Sequence, residues 1–241
     1  MKLAIITARG GSKRIPRKNE KPFAGRPMLA YAIATAQASG LFDRIIVSSD
    51  DAEIMQLAVR LGAEAPFTRP PEISDDHTPL IPVVQHAIRA IEEAGDRPER
   101  VCCILPTVPF LQPADLQQAA AQLEAGDTNY VFPVTTFPCP PQRALIRNAD
   151  GQMTPMFPEF RWSRSQDLPE GFQDTGQFYY GKRDAWLSGK GAHDGGSGMP
   201  IPRWRVQDID TPEDWTRAEL MYQLLVQGGW VSDKHLPPPH A

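Results

Sequence analysis

Apolar positions along this chain fall into short blocks, and stretches with a helical repeat or rich in proline and glycine lie between them. KLAIITA (2–8) reads as a buried strand, and PMLAYAIATAQAS (27–39) follows as a helix with Leu29, Ala32, Ile33 and Ala36 on one face. Pro27 suits the first turn of that helix. RIIVSSD (44–50) is a second strand. AEIMQLAVRLG (52–62) is a second helix, striped by Ile54, Leu57, Ala58 and Leu61 and stopped at Gly62. A loop rich in Pro and Asp (65–79) precedes a third helix, where Ile81, Val84, Ile88 and Ile91 recur at helical spacing.

The alternation continues. RVCCILP (100–106) reads as a strand, PADLQQAAAQLEAG (113–126) as a helix and NYVFPVTTF (129–137) as a strand. RALIRNADGQMTPM (143–156) has the form of a hairpin turning at Ala149-Asp150-Gly151. GQFYYG (176–181) and RWRVQDID (203–210) read as strands. PEDWTRAELMYQLL (212–225) is the last helix, with Trp215, Ala218, Tyr222 and Leu225 inward. Strands alternating with helices predict an α/β fold in one domain over 1–228. Segment 138–200 breaks the rhythm and is expected to project from the sheet, and 229–241 is expected to form a frayed, flexible tail. There is no internal repeat.

Against this framework the stretch ITARGGSKRIPRKN (6–19) stands out. Seven of the 25 basic residues lie between Arg9 and Arg26 with a single acid, Glu20, although the chain as a whole carries a net charge of -4. Glycines directly after a first strand let backbone N–H groups approach a ligand, and Arg9, Lys13 and Lys18 can add charge-assisted bonds to phosphate oxygens. The order GGSK fits neither the P-loop nor the dinucleotide fingerprint. A loop of about fifteen residues before the helix suits a triphosphate better than a single pyrophosphate docked on a helix end. Asp208-Ile209-Asp210 is the second constellation. On a strand both carboxylates would share a face and could hold one Mg²⁺; alternatively, Asp210 or Thr211 caps the following helix.

Composition narrows the classes further. The charge is local rather than global, which points to a small anion and away from nucleic acid. No apolar run approaches the roughly 20 residues of a membrane helix, and the amino terminus lacks the form of a secretory signal, so a cytoplasmic location is expected. Cys102, Cys103 and Cys139 have no metal-ligand spacing, and the first two sit in an apolar run as core residues. The five histidines make no metal or triad pattern.

ITARGGSKRIPRKN, VSSDD (47–51), the Arg69-Pro70 loop with SDDHT (74–78) and DIDTPEDW (208–215), in that order, resemble the CMP-nonulosonic acid synthetases. These cytidylyltransferases activate sialic acid and its relatives, and the likeness extends to about residue 225. PTVPFL (106–111), PPQRAL (140–145), RSQDLPE (164–170) and FQDTGQFYYG (172–181) are most similar to the branch that acts on pseudaminic acid. Leu105 and Asp174-Thr175-Gly176 stand where sialic acid synthetases carry a Gln and an NGAIY-like strand. The resemblance implies a Rossmann-like, mixed but mostly parallel sheet flanked by helices, of the nucleotide-diphospho-sugar transferase type. It also implies a projecting β-rich dimerisation segment and a homodimer.

The resemblance further implies that Ala8, Arg9, Gly10, Gly11, Ser12, Lys13 and Lys18 hold the triphosphate of CTP. Asn19 would lie near the ribose and Arg69 and Thr78 at the cytosine; Leu80 stands where a hydroxyl is common in the family. Asp208 and Asp210 would bind Mg²⁺, with Arg9, Lys18 and Asp208 closest to the chemistry. Arg143, Arg164, Gln173 and Tyr179 would face an acidic nonulosonic sugar. For the two arginines an ordinary surface salt bridge is an equal reading, and for Tyr179 core packing is the favoured one. The implied reaction joins CTP to the anomeric hydroxyl of the sugar and releases pyrophosphate, for surface glycan or flagellin glycosylation. Rival readings are a legionaminate or N-acetylneuraminate cytidylyltransferase and a non-catalytic sensor of CTP or a CMP-sugar.

Overall fold

The computed structural model describes residues 1–239. Buried β-branched runs build the centre of the sheet. Strand β1 (Lys2–Thr7) leads through a long loop and a two-residue ribbon, β2 (Pro22–Phe23) and β3 (Arg26–Pro27), into helix α1 (Met28–Ser39). Then follow β4 (Arg44–Ser48), α2 (Ala52–Arg60), α3 (Leu80–Glu93), β5 (Arg100–Ile104), α4 (Pro113–Ala125) and β6 (Tyr130–Thr136). A separate hairpin pairs β7 (Leu145–Arg147) with β8 (Met153–Pro155), as its turn residues predict. The remaining elements are β9 (Phe172–Asp174), β10 (Phe178–Lys182), α5 (Arg183–Ser188), β11 (Ser197–Pro200) and α6 (Pro212–Gln227).

The main sheet has the order β11-β6-β10-β5-β1-β4, with β9 added on β6. Strands β4, β1, β5, β6 and β11 run one way; β9 and β10 run against them. Leu29, Ile33, Ile54, Leu116 and Leu123 cover one face, from α1, α2 and α4. Val84, Ile88 and Ile91 of α3 and Trp186 of α5 cover the other. Cys102 and Cys103 are fully buried on opposite sides of β5, as expected for core residues.

A third cluster ties the long loop to the end of the chain. Phe23 meets Tyr31, Trp215 and Tyr222 edge-on, at ring separations of 5.5, 5.5 and 5.6 Å. Ile15 from the loop and Ile209 from the segment before α6 join the same cluster.

Three expectations change. RWRVQDID (203–210) is not a strand. Pro202 has no N–H for a ladder, and a short 3-10 turn at Arg203–Arg205 is held by Arg205 bonds to Asp115 at 2.8 and 2.9 Å. The edge strand lies earlier, at β11, in a Ser-Gly-Met-Pro run that carries little strand signal. Segment 138–200 does not project as a whole, because β9, β10 and β11 all join the main sheet and β7–β8 alone forms a separate ribbon. Residues 229–239 are not a frayed tail: Val231 and Leu236 pack into the third cluster, and the buried Arg26 guanidinium bonds the carbonyl of Pro237. Residues 240 and 241 lie outside the described residues.

Phe23→Ala is expected to cost about 3–5 kcal/mol, because a buried ring with three aromatic neighbours is lost. Denaturant unfolding reads this as a lower midpoint; an unchanged midpoint would show that the cluster does not hold the end of the chain.

Candidate active site

The long loop leaves β1 at the carboxyl end of the sheet, where open α/β folds place their ligands. Its start is stitched to β4, with Ala8 N donating to Ser48 O at 3.0 Å and Gly10 N to an Asp50 carboxylate oxygen at 3.0 Å. Gly10 is required by close approach: a Cβ there would lie 2.6 Å from an Asp51 carboxylate oxygen. Asp51 is itself occupied as the N-cap of α2, accepting from Glu53 N and Ile54 N. Further along, Arg17 adopts a left-handed conformation (φ 54°) and reaches Asp51 at 2.9 Å and Glu53 at 2.6 Å. The loop is thereby tied to the first turn of α2.

Inside the loop, Asn19 is buried. Its amide nitrogen donates to Arg9 O at 2.9 Å, while its carbonyl oxygen Oδ1 has no partner. A buried acceptor without a donor is costly unless a ligand supplies one. Lys18 is half-buried. Its ammonium donates to Ile209 O at 2.7 Å and stands 3.6 Å from Asp210. Burial lowers the Lys18 pKa, and the charges of Asp210 and Asp208 act in the opposite sense.

Thr211, not Asp210, caps α6. Its hydroxyl accepts from Asp214 N at 3.2 Å, and Asp214 returns the capping box. The Asp210 carboxylate is left to face Lys18 and Arg14, the latter at 2.9 Å. Asp208 stands beside it at the surface. Loss of water around Asp208, then the like charge of Asp210, raises its pKa above the ordinary carboxylate value. Two carboxylates this close in the chain form a donor set suited to a hard divalent cation. Among the described residues no third His, Cys, Asp or Glu completes a cluster with them, so the other ligands would have to be phosphate oxygens and water.

A cavity of about 650 Å³ opens between these parts. It brings together the predicted residues Arg9, Ser12, Lys13, Lys18, Asn19, Arg69, Thr78, Tyr179 and Asp210. Ala8, Gly10 and Gly11 belong to the same loop but do not line the cavity, and Asp208 also lies outside the lining, near enough for its charge to act on Lys18. Arg69 is buried against the Ser48 hydroxyl at 3.1 Å and the Ser48 carbonyl; burial lowers its pKa while Asp50 raises it. Thr78 gives its hydroxyl proton to Asp75 at 2.6 Å. The structure does not bring Arg143, Arg164 or Gln173 to this cavity. Arg143 bonds Ser163 O at 2.9 Å and Arg164 pairs with Asp167 at 2.7 Å, both on the exposed segment around the hairpin, and Gln173 lies on β9.

One participant was not assigned from sequence. Asp76 pairs with both Arg9 and Lys13, the latter at 2.5 Å. Hydrogen bonds from Lys13 and Arg9 hold its pKa down to about 2. The SDDHT run was visible, but nothing in the spacing of two adjacent aspartates tells which one turns toward a loop sixty residues away. Asp75 instead closes a local turn, accepting from His77 N and Thr78 N.

Comparison with known proteins bears on the family and the fold. Residues 3–138 match the cytidylyltransferase family model. A pseudaminic acid cytidylyltransferase of Campylobacter jejuni subsp. jejuni is 42% identical over 224 residues, which is 92% of this chain and 96% of that protein. The CMP-N,N'-diacetyllegionaminic acid synthase of Legionella pneumophila is 27% identical over 92% of this chain and 96% of its own length. In fold, the chain is similar to a CMP:2-keto-3-deoxy-manno-octonic acid synthetase solved with CTP, with a TM-score of 0.70 and 16% identity over 94% of this chain and 99% of that one. Sequence match, sheet order and the basic loop converge: the chain belongs to the cytidylyltransferase family.

Proposed function

We propose that this protein couples CTP to the anomeric hydroxyl of a nonulosonic acid, with pseudaminic acid as the sugar, and releases pyrophosphate. The observation that carries this is the gathering of Arg9, Lys13, Lys18 and Arg69 around one cavity that Asp210 also lines, beside Lys18. The high identity to pseudaminic acid cytidylyltransferases supports the choice of sugar.

In this reading the triphosphate lies along the loop. Arg9 and Lys13 exchange Asp76 for phosphate oxygens, and Lys18 neutralises charge that gathers on the α-phosphate and the leaving group. The unpartnered Asn19 oxygen accepts a ribose hydroxyl proton, and Arg69, walled in by Ser48, holds the base end. Asp208 and Asp210 would hold Mg²⁺, which would supply positive charge to offset that of the phosphates. The sugar hydroxyl attacks the α-phosphorus, so most of the catalysis is positioning.

Arg143 and Arg164 lie outside the chain's own cavity, so they serve the sugar carboxylate only from a second copy. Leu145, Ile146, Met153 and Trp162, exposed on the same segment, offer an apolar surface for a homodimer. The enzyme is proposed to act in the cytoplasm, where CTP is made.

Purified protein given CTP and Mg²⁺ with pseudaminic, legionaminic or N-acetylneuraminic acid is expected to release pyrophosphate with pseudaminic acid and to form a product with the mass of its CMP conjugate. Turnover with another of the acids alone would correct the sugar. Tight CTP binding without turnover on any would favour the sensor reading.

Asp208→Asn is expected to raise the Mg²⁺ concentration for half-maximal rate at least tenfold, while the unfolding midpoint stays at the wild-type value or rises. In the wild type a metal ligand must be ionised. Because the folded pKa of Asp208 is raised, apparent Mg²⁺ affinity should fall as pH drops and begin falling above the ordinary carboxylate value of about 3.9. A metal titration unaltered by this substitution would remove Asp208 from the site.

A further inference from the structure

Tyr179 lies on β10 and lines the cavity of about 650 Å³ described above. Its hydroxyl donates at 2.7 Å to Oδ2 of Asp174, which lines a neighbouring cavity of about 580 Å³ together with Phe132, Val134, Phe172 and His193. The same Asp174 oxygen lies 2.7 Å from His193 Nε2. The other oxygen accepts from Gly176 N at 2.8 Å. A carboxylate has only acceptors to offer, so both partners of Oδ2 must be donors. Nε2 of His193 therefore carries a proton, and the single proton of Tyr179 points at Asp174.

That last step decides what the tyrosine can do for a substrate. A phenol has one donor and two acceptor lone pairs. With the proton committed to Asp174, the oxygen left for a ligand is an acceptor only. Burial, followed by the Asp174 contact, raises the Tyr179 pKa, which keeps the phenol protonated. Asp174 is in turn held on three sides: by β9 pairing with β6 through Val134, by the Gly176 turn, and by His193, whose ring packs edge-on against Phe132 at 5.2 Å. Asp174 is thus set on the sheet rather than on a free loop, and the tyrosine oxygen is aimed with it.

We propose that Asp174 is a positioning residue for sugar specificity: it takes the Tyr179 proton and so presents the sugar acid with an oxygen that selects a hydroxyl or amide N–H donor. This rests on the proposed function, in that the acceptor substrate occupies the Tyr179 end of the cavity. Asp174→Asn is nearly isosteric and can still accept from Gly176 N. Its NH₂ group, however, donates toward Tyr179 and reverses the direction of that bond. A site built to hydrogen-bond a substrate group discriminates strongly when the donor–acceptor match is lost.

The test is steady-state kinetics of pyrophosphate release for wild type, Asp174→Asn, Tyr179→Phe and the double variant, with sugar and CTP varied separately. Asp174→Asn should lower kcat/KM for the sugar by at least tenfold, with KM for CTP within twofold of wild type. Tyr179→Phe should do the same, and adding Asp174→Asn to it should cause no further loss. Unfolding midpoints show that each variant folds. An equal loss from Asp174→Asn with and without the tyrosine hydroxyl would make Asp174 a structural residue and overturn the proposal. So would an unchanged sugar kcat/KM, or a rise in KM for CTP matching that for the sugar. A wild-type enzyme that binds CTP but turns over no nonulosonic acid would bring down the functional reading itself, and this proposal with it.

Discussion

The whole site depends on how positive charge is held on one loop. Between Arg9 and Lys18 the chain places five cations within ten residues, and without partners they would repel each other and the loop would open. The fold surrounds them with carboxylates taken from distant elements. Arg17 goes to Asp51 and Glu53 on α2, Arg9 and Lys13 to Asp76, and Arg14 and Lys18 to Asp210. These pairs are not equivalent. Arg17 carries the anchoring contacts outside the cavity. The pairs with Asp76 and Asp210 lie at the cavity wall, within reach of a ligand, and like the Arg17 pairs they are part-exposed and individually weak. In the proposed function the triphosphate's oxygens would take the place of Asp76 at Arg9 and Lys13, while Arg17 keeps the loop tied to α2.

The rest of the architecture serves this arrangement. Parallel pairing of β1 with β4 and β5 puts the loop at the carboxyl edge of the sheet. The Phe23 cluster brings the end of the chain back to the same edge, so that Ile209 is buried in one cluster with Ile15 while Asp210 lines the cavity and Asp208 lies near enough for its charge to act on Lys18. A single buried isoleucine thus places two carboxylates next to a lysine 190 residues away in sequence. The reversed strand β10 between β5 and β6 supplies Tyr179 to the far wall.

Much of this was legible in the sequence, for physical reasons. Helices α2 and α3 carry clear 3.6-residue stripes, α1 is an apolar run buried almost all round, and the central strands are unbroken apolar runs, so these follow from pattern alone. Charge concentrated after the first strand identifies the loop with Arg9, Lys13 and Lys18, whereas Asn19 and Arg69 follow only from the family resemblance. The illegible parts are those fixed by tertiary contact. Nothing local marks Ser197–Pro200 as a strand, because its pairing with β6 overrides poor propensity. The apparent strand before α6 fails because Arg205 is drawn to Asp115. The proline-rich end looks disordered by composition but packs through Val231, Leu236 and the Arg26 contact. Asp76 and Asp174 act through partners remote in sequence, and no spacing rule reports such pairs. Arg143 and Arg164 match the family segment, yet their nearest contacts are local.

The central claim is that the loop cations are poised on an exchangeable carboxylate and handed to the triphosphate. Calorimetric titration of CTP into the wild type and Asp76→Asn at fixed salt tests it directly. The substitution leaves Arg9 and Lys13 without their carboxylate, so CTP should bind several-fold more tightly, and the gain should shrink as salt is raised. Weaker or unchanged binding in a folded Asp76→Asn protein would contradict the account, since Asp76 would then be building the site rather than holding its place.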